Sequence, residues 1–180
     1  MTGGPRLVLV LALGAFSAGA VHGEVTSRSA AGFVVVHLLE LPVSPQRAYR
    51  ALTSEISDWW DAEHSYSGEA NGFSLDARAG GCFCEALPDG GSVEHMRVVF
   101  AAPGRLLRLS GGLGPLQGLG AGGVMDFAFE ADAEAGTLLR FRYTVGGYVP
   151  GGLEGMADAV DAVLAGQLAR FAAHLQGGAP

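Results

Sequence analysis

The sequence contains no lysine, and all of its basic side chains are eleven arginines. Eighteen acidic residues outnumber them, so the formal net charge is −7 at pH 7. Nucleic-acid binding needs a basic face that neutralises phosphates. An acidic chain with scattered arginines offers no such face, and we therefore predict no nucleic-acid partner. The 180 residues, 49% of them hydrophobic, suffice for one domain with a substantial core.

Cysteine is scarce, since Cys82 and Cys84 are the only two in the chain. Residues two apart on a strand project from the same face, with their Cα atoms about 7 Å apart. That separation exceeds good disulfide geometry, so we expect two unbonded thiols. A strained or transient disulfide and half of a metal site are the alternatives. No C-x-x-C pair or close histidine pair completes a metal site, and we predict neither a metal nor a cofactor.

Four histidines, at positions 37, 64, 95 and 174, lie far apart without H-x-x-x-H spacing. Isolated histidines are more typical of surface or hydrogen-bonded positions than of ligands. His64 is the best functional candidate among them, because it lies in the polar segment 61–71 that directly follows Trp59 and Trp60.

No apolar run reaches the roughly 20 residues that a transmembrane helix requires. A shorter apolar run covers residues 7–16, with Arg6 before it and the small residues 17–20 after it. This pattern is typical of a secretory signal peptide, for which cleavage is expected near Ala20 or Gly23. An uncleaved N-terminal anchor is the alternative.

The predicted domain organisation follows from that cleavage. Residues 1–23 are the signal peptide, 24–31 a short N-terminal extension, and 32–177 one folded domain. The mature protein is expected to be periplasmic or secreted, without stable membrane insertion. Its oligomeric state cannot be predicted from the sequence.

The domain begins with a β-branched apolar run at 33–41, which predicts a first strand. Two short helices are expected between Pro45 and Trp60. From residue 73 to residue 145, apolar and polar residues alternate between hairpin-type turns, which favours antiparallel strands with one buried face. We predict an α+β fold with a sheet of about six or seven strands.

The C-terminal segment has a different period. Its apolar residues recur at intervals of three and four, as on an amphipathic helix; they are Leu153, Met156, Val160, Val163, Leu164, Leu168, Phe171 and Leu175. Pro150 is expected to open this helix and Gly177 to close it. One long helix after an antiparallel meander must bury its stripe on the apolar face of the sheet.

This order of elements resembles the START-like superfamily, also called SRPBCC, whose helix-grip fold wraps a sheet around a long C-terminal helix. Two features resemble the branch related to heat-shock-protein-90 ATPase-activator homologues. One is the aromatic pair Trp59-Trp60, and the other is a D-x-R-x-G-G-x-F element formed by Asp76, Arg78, Gly80-Gly81 and Phe83. The turn at 103–107 is similar too, and the resemblance covers residues 33–175. The export signal and Cys82-Phe83-Cys84 depart from the branch, so its name is not carried over as an activity.

The resemblance implies an apolar cavity between the long helix and the sheet, with the loops at 61–71 and 111–123 near its mouth. Members of the superfamily bind lipids, sterols or polyketides, and the polyketide cyclases and dehydratases among them also act on such molecules. The family determines the shape of the cavity and leaves its ligand open.

Two carboxylates could add a polar group to such a cavity. Glu85 shares the strand parity of Phe83, and Glu94 shares that of Met96, which would direct both inward. The alternative is that both lie at strand ends and reach water, because buried carboxylates are costly unless they are partnered. The G-x-G-x-x-G at 118–123 precedes a strand without a βαβ unit, which excludes a dinucleotide site.

The candidate ligand-binding residues combine the aromatic pair, the two carboxylates and the residues of the helix and the last strands. They are Trp59, Trp60, Phe73, Glu85, Glu94, Phe127, Phe129, Phe141, Tyr143, Met156, Val160, Val163 and Leu164. We expect them to bind a hydrophobic small molecule without catalysis, and we predict no catalytic residue. A cyclase- or dehydratase-type enzyme acting through Glu85, Glu94 or His64 is one alternative, and a protein-interaction module without ligand is another.

Overall fold

The computed structural model describes residues 22–133 and 135–177. They form one eight-stranded antiparallel sheet and three α-helices. The strands are β1 His22–Ser29, β2 Gly32–Leu41, β3 Phe73–Leu75, β4 Cys82–Ala86, β5 Ser92–Ala102, β6 Leu106–Gly111, β7 Ala121–Ala131 and β8 Thr137–Gly147. The helices are α1 Pro45–Ser54, α2 Ile56–Trp59 and α3 Ala157–Leu175. Across the sheet, the strand order is β1-β2-β8-β7-β6-β5-β4-β3, an α+β arrangement compatible with a helix-grip fold.

The first of the two short helices begins where the sequence signals predicted. The Ser44 hydroxyl accepts a hydrogen bond from the Arg47 amide at 3.4 Å, and Pro45 occupies the first helical position. The Glu55 carboxylate binds the Arg47 guanidinium at 2.8 Å where α1 meets α2. These contacts fix α2, whose last residue is Trp59.

The core lies between one face of the sheet and the helices. Alternate residues of β7 and β8 are buried, as the period-two pattern predicted; they are Met125, Phe127, Phe129, Leu139, Phe141, Tyr143 and Val145. On α3, the buried part of the predicted stripe is Leu164, Leu168 and Phe171. Since these large side chains exclude water from both surfaces, the helix–sheet layer is the main hydrophobic contact of the domain.

Polar contacts tie α3 to the neighbouring elements. Asp158 binds the Arg28 guanidinium of β1 at 2.9 Å, and Asp161 binds Nε2 of the buried His37 on β2 at 2.8 Å. Near the other end of the helix, His174 binds Glu55 at 2.7 Å. Within the described part of the chain, no helix is long and apolar enough to cross a membrane.

The sheet contains more strands than the six or seven predicted. Most of the expected N-terminal extension, residues 24–31, belongs to β1, which pairs with β2 from His22↔Leu38 to Ser29↔Gly32. A polar edge strand lacks the apolar alternation on which the prediction was based. The predicted signal peptide lies outside the described residues up to position 21.

The long helix begins later than predicted. Gly151 and Gly152 adopt positive φ angles of 87° and 83°, and such backbone continues no right-handed helix. A 3₁₀ turn at Glu154–Met156 follows, and α3 starts at Ala157. Pro150 therefore precedes a turn instead of opening the helix.

The expectation of two unbonded thiols is wrong, because Cys82 and Cys84 form a disulfide. Their Cα atoms are 5.3 Å apart, well short of the separation in an extended strand. The β4–β5 pairing shifts register between Phe83 and Cys84. The pairing of β4 is therefore irregular between the two cysteines, and spacing alone could not reveal this.

Candidate functional site

The site is assembled around Trp60, which follows α2. Its indole ring packs against Phe73 of β3 and Phe83 of β4, with ring centroids 5.4 and 5.2 Å away. The indole N–H donates to the His64 carbonyl at 3.2 Å. Because the aromatic cluster anchors one end of this hydrogen bond, the loop carrying His64 is held against the sheet.

Glu85 is the buried acid of the site, with no exposed surface. Its carboxylate accepts hydrogen bonds from the backbone amides of Tyr66 and Ser67, at 3.1 and 2.6 Å, and lies 3.0 Å from Nε2 of His95. Three donors thereby satisfy a charge whose burial would otherwise be costly. Of the two orientations that the sequence left open for Glu85, the structure has the inward one.

The pKa values of Glu85 and His95 are both lowered, but for different reasons. Burial alone would raise the pKa of Glu85, but the hydrogen bonds from Ser67, Tyr66 and His95 outweigh it and lower that pKa. Burial lowers the pKa of His95, against the opposing effect of Glu85. At neutral pH the pair is therefore a carboxylate and a neutral imidazole, and the imidazole proton lies on Nε2, where the carboxylate accepts it.

A bulge in β5 explains why His95 is buried. Met96 pairs with Phe83 and Glu94 pairs with Cys84, so His95 is the extra residue between them. His95 and Met96 are consequently both buried. Glu94 is exposed and bonds to Arg97 at the surface, so it reaches water, which is the alternative to the inward orientation that its strand parity suggested.

The loop between β6 and β7, residues 112–120, forms the opposite wall. The buried Tyr143 hydroxyl accepts from the Leu113 amide at 3.1 Å and donates to the Gly111 carbonyl at 3.3 Å. The Tyr66 hydroxyl donates to the Gly114 carbonyl at 3.1 Å. The 112–120 loop is thus fastened both to β8 and to the loop that carries His64.

Between these walls lies a pocket of about 270 Å³, which we name the Trp60 pocket. It is lined by Trp60, Glu63, His64, Ser65, Tyr66, His95, Leu113, Gly114 and Pro115. Its walls are mostly apolar and aromatic, with a few polar groups, which is the usual composition of small-molecule sites. Among the described residues, Nδ1 of His95 is buried without a hydrogen-bond partner.

The structure divides the predicted ligand-binding residues into two sets. Trp60 lines the pocket, while Glu85 and Phe73 contact the His95 ring behind it. The second set lies away from the lining of this pocket. It comprises the surface residue Glu94, the buried Trp59, Phe127, Phe129, Phe141, Tyr143 and Leu164, and the partly buried Met156, Val160 and Val163.

Several pocket residues were foreseen and others were missed. The sequence placed His64 and both mouth loops near a cavity between α3 and the sheet. Residues of both loops line the Trp60 pocket, whose lining includes no residue of α3. His95 was missed, because the bulge reverses its strand parity. The available signal in the sequence was that Glu85 and His95 lie on the two arms of one predicted hairpin. Adjacent antiparallel strands bring such pairs of residues together.

Two other histidines also pair with carboxylates, His37 with Asp161 and His174 with Glu55, and neither lines the pocket. Each pair joins α3 to another element and is structural in position. Throughout residues 22–133 and 135–177, no three His, Cys, Asp or Glu side chains cluster in a way that could hold a metal ion.

Solved structures share this fold. An uncharacterised protein from Rhizobium leguminosarum superposes with a TM-score of 0.57 and 20% identity, covering 89% of this chain and 99% of that one. CalU16 from Micromonospora echinospora gives 0.56 and 16%, covering 91% and 87%. DynU16, from the dynemicin biosynthetic locus, gives 0.56 and 16%, covering 81% and 48%. No family model and no curated protein matches the sequence.

Proposed function

We propose that the protein is an exported START-like domain that binds a hydrophobic, aromatic small molecule in the Trp60 pocket without transforming it. The observation that carries the proposal is the pocket itself, about 270 Å³ with aromatic and aliphatic walls. Such a volume accommodates a ligand of two or three fused rings, near the lower end of typical small-molecule sites. Trp60, Tyr66 and Leu113 supply flat apolar surface for it.

Two further observations support this choice. The fold is shared with CalU16 and with DynU16, the latter from the locus that makes dynemicin. The START-like resemblance of the sequence also implies a hydrophobic ligand. The predicted signal peptide would place binding in the periplasm or outside the cell, which favours capture or transport of a molecule found there.

The proposal is tested by filling the pocket. Wild-type protein should take up the neutral fluorescent probe N-phenyl-1-naphthylamine with one-to-one stoichiometry. Leu113→Trp places a large ring inside the pocket and should abolish uptake while the protein remains folded. Leu119→Trp is the matched control, because Leu119 lies on the same loop but is exposed and outside the lining. Absence of uptake by the wild type, or equal uptake by both variants, contradicts ligand binding in this pocket.

The Glu85–His95 pair favours a second candidate function, an enzyme of the cyclase or dehydratase type. A neutral imidazole held by a carboxylate is suited to general-base chemistry. The test is deuterium exchange at the acidic carbon of 2-tetralone in D₂O, followed by NMR. Exchange faster with wild type than with His95→Phe supports catalysis, and equal rates count against it.

A further inference from the structure

We infer that the Trp60 pocket selects ligands that carry a hydrogen-bond donor, such as a phenolic or enolic hydroxyl, through Nδ1 of His95. This inference rests on the proposed function, since it specifies the class of molecule that the same pocket takes. It adds a polar requirement to a pocket otherwise described by its apolar walls.

The first step is the fixed tautomer of His95. Nε2 lies 3.0 Å from Oε2 of Glu85. The other Glu85 contacts are donated by two backbone amides, so the carboxylate accepts in every hydrogen bond. The imidazole must therefore donate from Nε2, which leaves a lone pair and no hydrogen on Nδ1.

The second step is the rigidity of the ring. His95 stacks on Phe73 at 5.2 Å and lies 5.1 Å from the Phe83 ring. Only 4% of His95 is exposed. Packed against both rings and bonded to Glu85, the imidazole is held in one orientation and offers no N–H in place of the lone pair.

The third step is the unsatisfied acceptor. Nδ1 of His95 is buried and unpartnered among the described residues, and the His95 ring lines the pocket. Leaving a buried polar atom unpaired is costly, so such atoms in native proteins usually have a protein, water or ligand partner. A ligand that donates a hydrogen bond there satisfies the atom, whereas a ligand without a donor leaves it unpaired.

The inference is tested with two ligands of equal ring structure, 2-naphthol and 2-methoxynaphthalene, by isothermal titration calorimetry at pH 7.5. Wild-type protein should bind 2-naphthol about tenfold more tightly, which is the usual consequence of one buried hydrogen bond. His95→Phe, which keeps a ring and removes both nitrogens, should bring the ratio of the two dissociation constants close to one. His174→Phe, outside the pocket, should keep the wild-type ratio.

The outcomes separate this inference from the proposed function. Equal affinity of the wild type for the two ligands overturns donor selection and leaves hydrophobic binding intact. Absence of binding for both ligands overturns both proposals. If His95→Phe does not fold, ¹⁵N NMR of the wild-type imidazole replaces it. Nδ1 should resonate as an unprotonated nitrogen and shift on addition of 2-naphthol, while a protonated Nδ1 or an unmoved signal refutes the inference.

Discussion

At the residue scale, the site depends on one carboxylate and one imidazole with different surroundings. Glu85 has three donors and stays ionised, whereas His95 has one acceptor and stays neutral. Glu85 could not stay ionised alone, because an unpartnered buried carboxylate would take up a proton. His95 is kept neutral by its burial, against the opposing effect of Glu85. The pair thus explains how Nδ1 of His95 can be a hydrogen-bond acceptor at a mostly apolar pocket.

Stability should respond to acid through the same pair. The pKa of folded His95 lies below its ordinary value of 6.5, and the pKa of folded Glu85 lies below 4.5. The unfolded chain therefore binds more protons, and each contribution is complete above the ordinary pKa and is lost as pH falls through the folded pKa. The free-energy advantage of wild type over His95→Phe should accordingly narrow below pH 6.5.

Urea unfolding at a series of pH values between 8 and 4.5 measures this advantage. The titratable groups that face His95 or share its pocket are Glu85, Glu63, His64 and Tyr66. Because His64 is a second, exposed imidazole nearby, His64→Phe serves as the control. That variant should follow the wild type over the same range. An advantage of wild type over His95→Phe that stays constant or widens on acidification contradicts the pKa assignment.

At the element scale, the pocket depends on how the 112–120 loop is fastened. Tyr143 belongs to β8, yet its hydroxyl bonds to the backbone at Gly111 and Leu113. The Tyr143 ring also packs closely on Gly123 of β7, where an added Cβ would approach the ring to 2.6 Å. Tyr143, a predicted ligand-binding residue, supports in the structure the 112–120 loop that forms one wall of the Trp60 pocket.

Tyr143→Phe removes both hydrogen bonds and keeps the ring. We expect it to lower the free energy of unfolding by about 1–3 kcal/mol, because the Leu113 amide and the Gly111 carbonyl lose their partner. Hydrogen exchange by mass spectrometry should show faster exchange in a peptide spanning 112–120 and little change in α3. Tyr148→Phe is the control, since Tyr148 is 80% exposed. Unchanged exchange in the loop would show that other contacts hold it.

The elements that the sequence predicted well are those with a clear period. Alternation along β7 and β8 and the apolar stripe of α3 indicated the buried faces, because period-two and period-3.6 patterns map directly onto one side of a strand or helix. Ser44 and Pro45 marked the start of α1 as its N-cap and first helical residue.

The errors have physical causes that period alone does not encode. Bulges in β5 put His95 inside and leave Glu94 and Phe100 at the surface. The Cys82–Cys84 disulfide lies beside the same register shift. An edge strand as polar as β1 is recognised only by its pairing with β2. These features arise from tertiary pairing. The bulge at His95 lies at the candidate site, whereas β1 lies at the opposite edge of the sheet.

At the scale of the whole molecule, β1 and α3 close the domain at the end opposite β3. Gly23 pairs with His37, and a side chain at position 23 would collide with the His37 ring. The backbone of β1 therefore covers His37, which is only 2% exposed and bonded to Asp161 of α3. The beginning of the sheet thereby helps to hold the helix in place.

This arrangement distinguishes the two predicted cleavage positions. Cleavage after Ala20 leaves β1 whole, whereas cleavage after Gly23 removes the residues paired with Leu38 and His37. We expect a mature N-terminus at Val21, found by N-terminal sequencing of the periplasmic fraction. A protein starting at Glu24 should melt at a lower temperature than one starting at Val21, because His37 and its bond to Asp161 become exposed to water. A native product that starts at Glu24, or a full-length protein retained in the cytoplasm, would contradict this assignment.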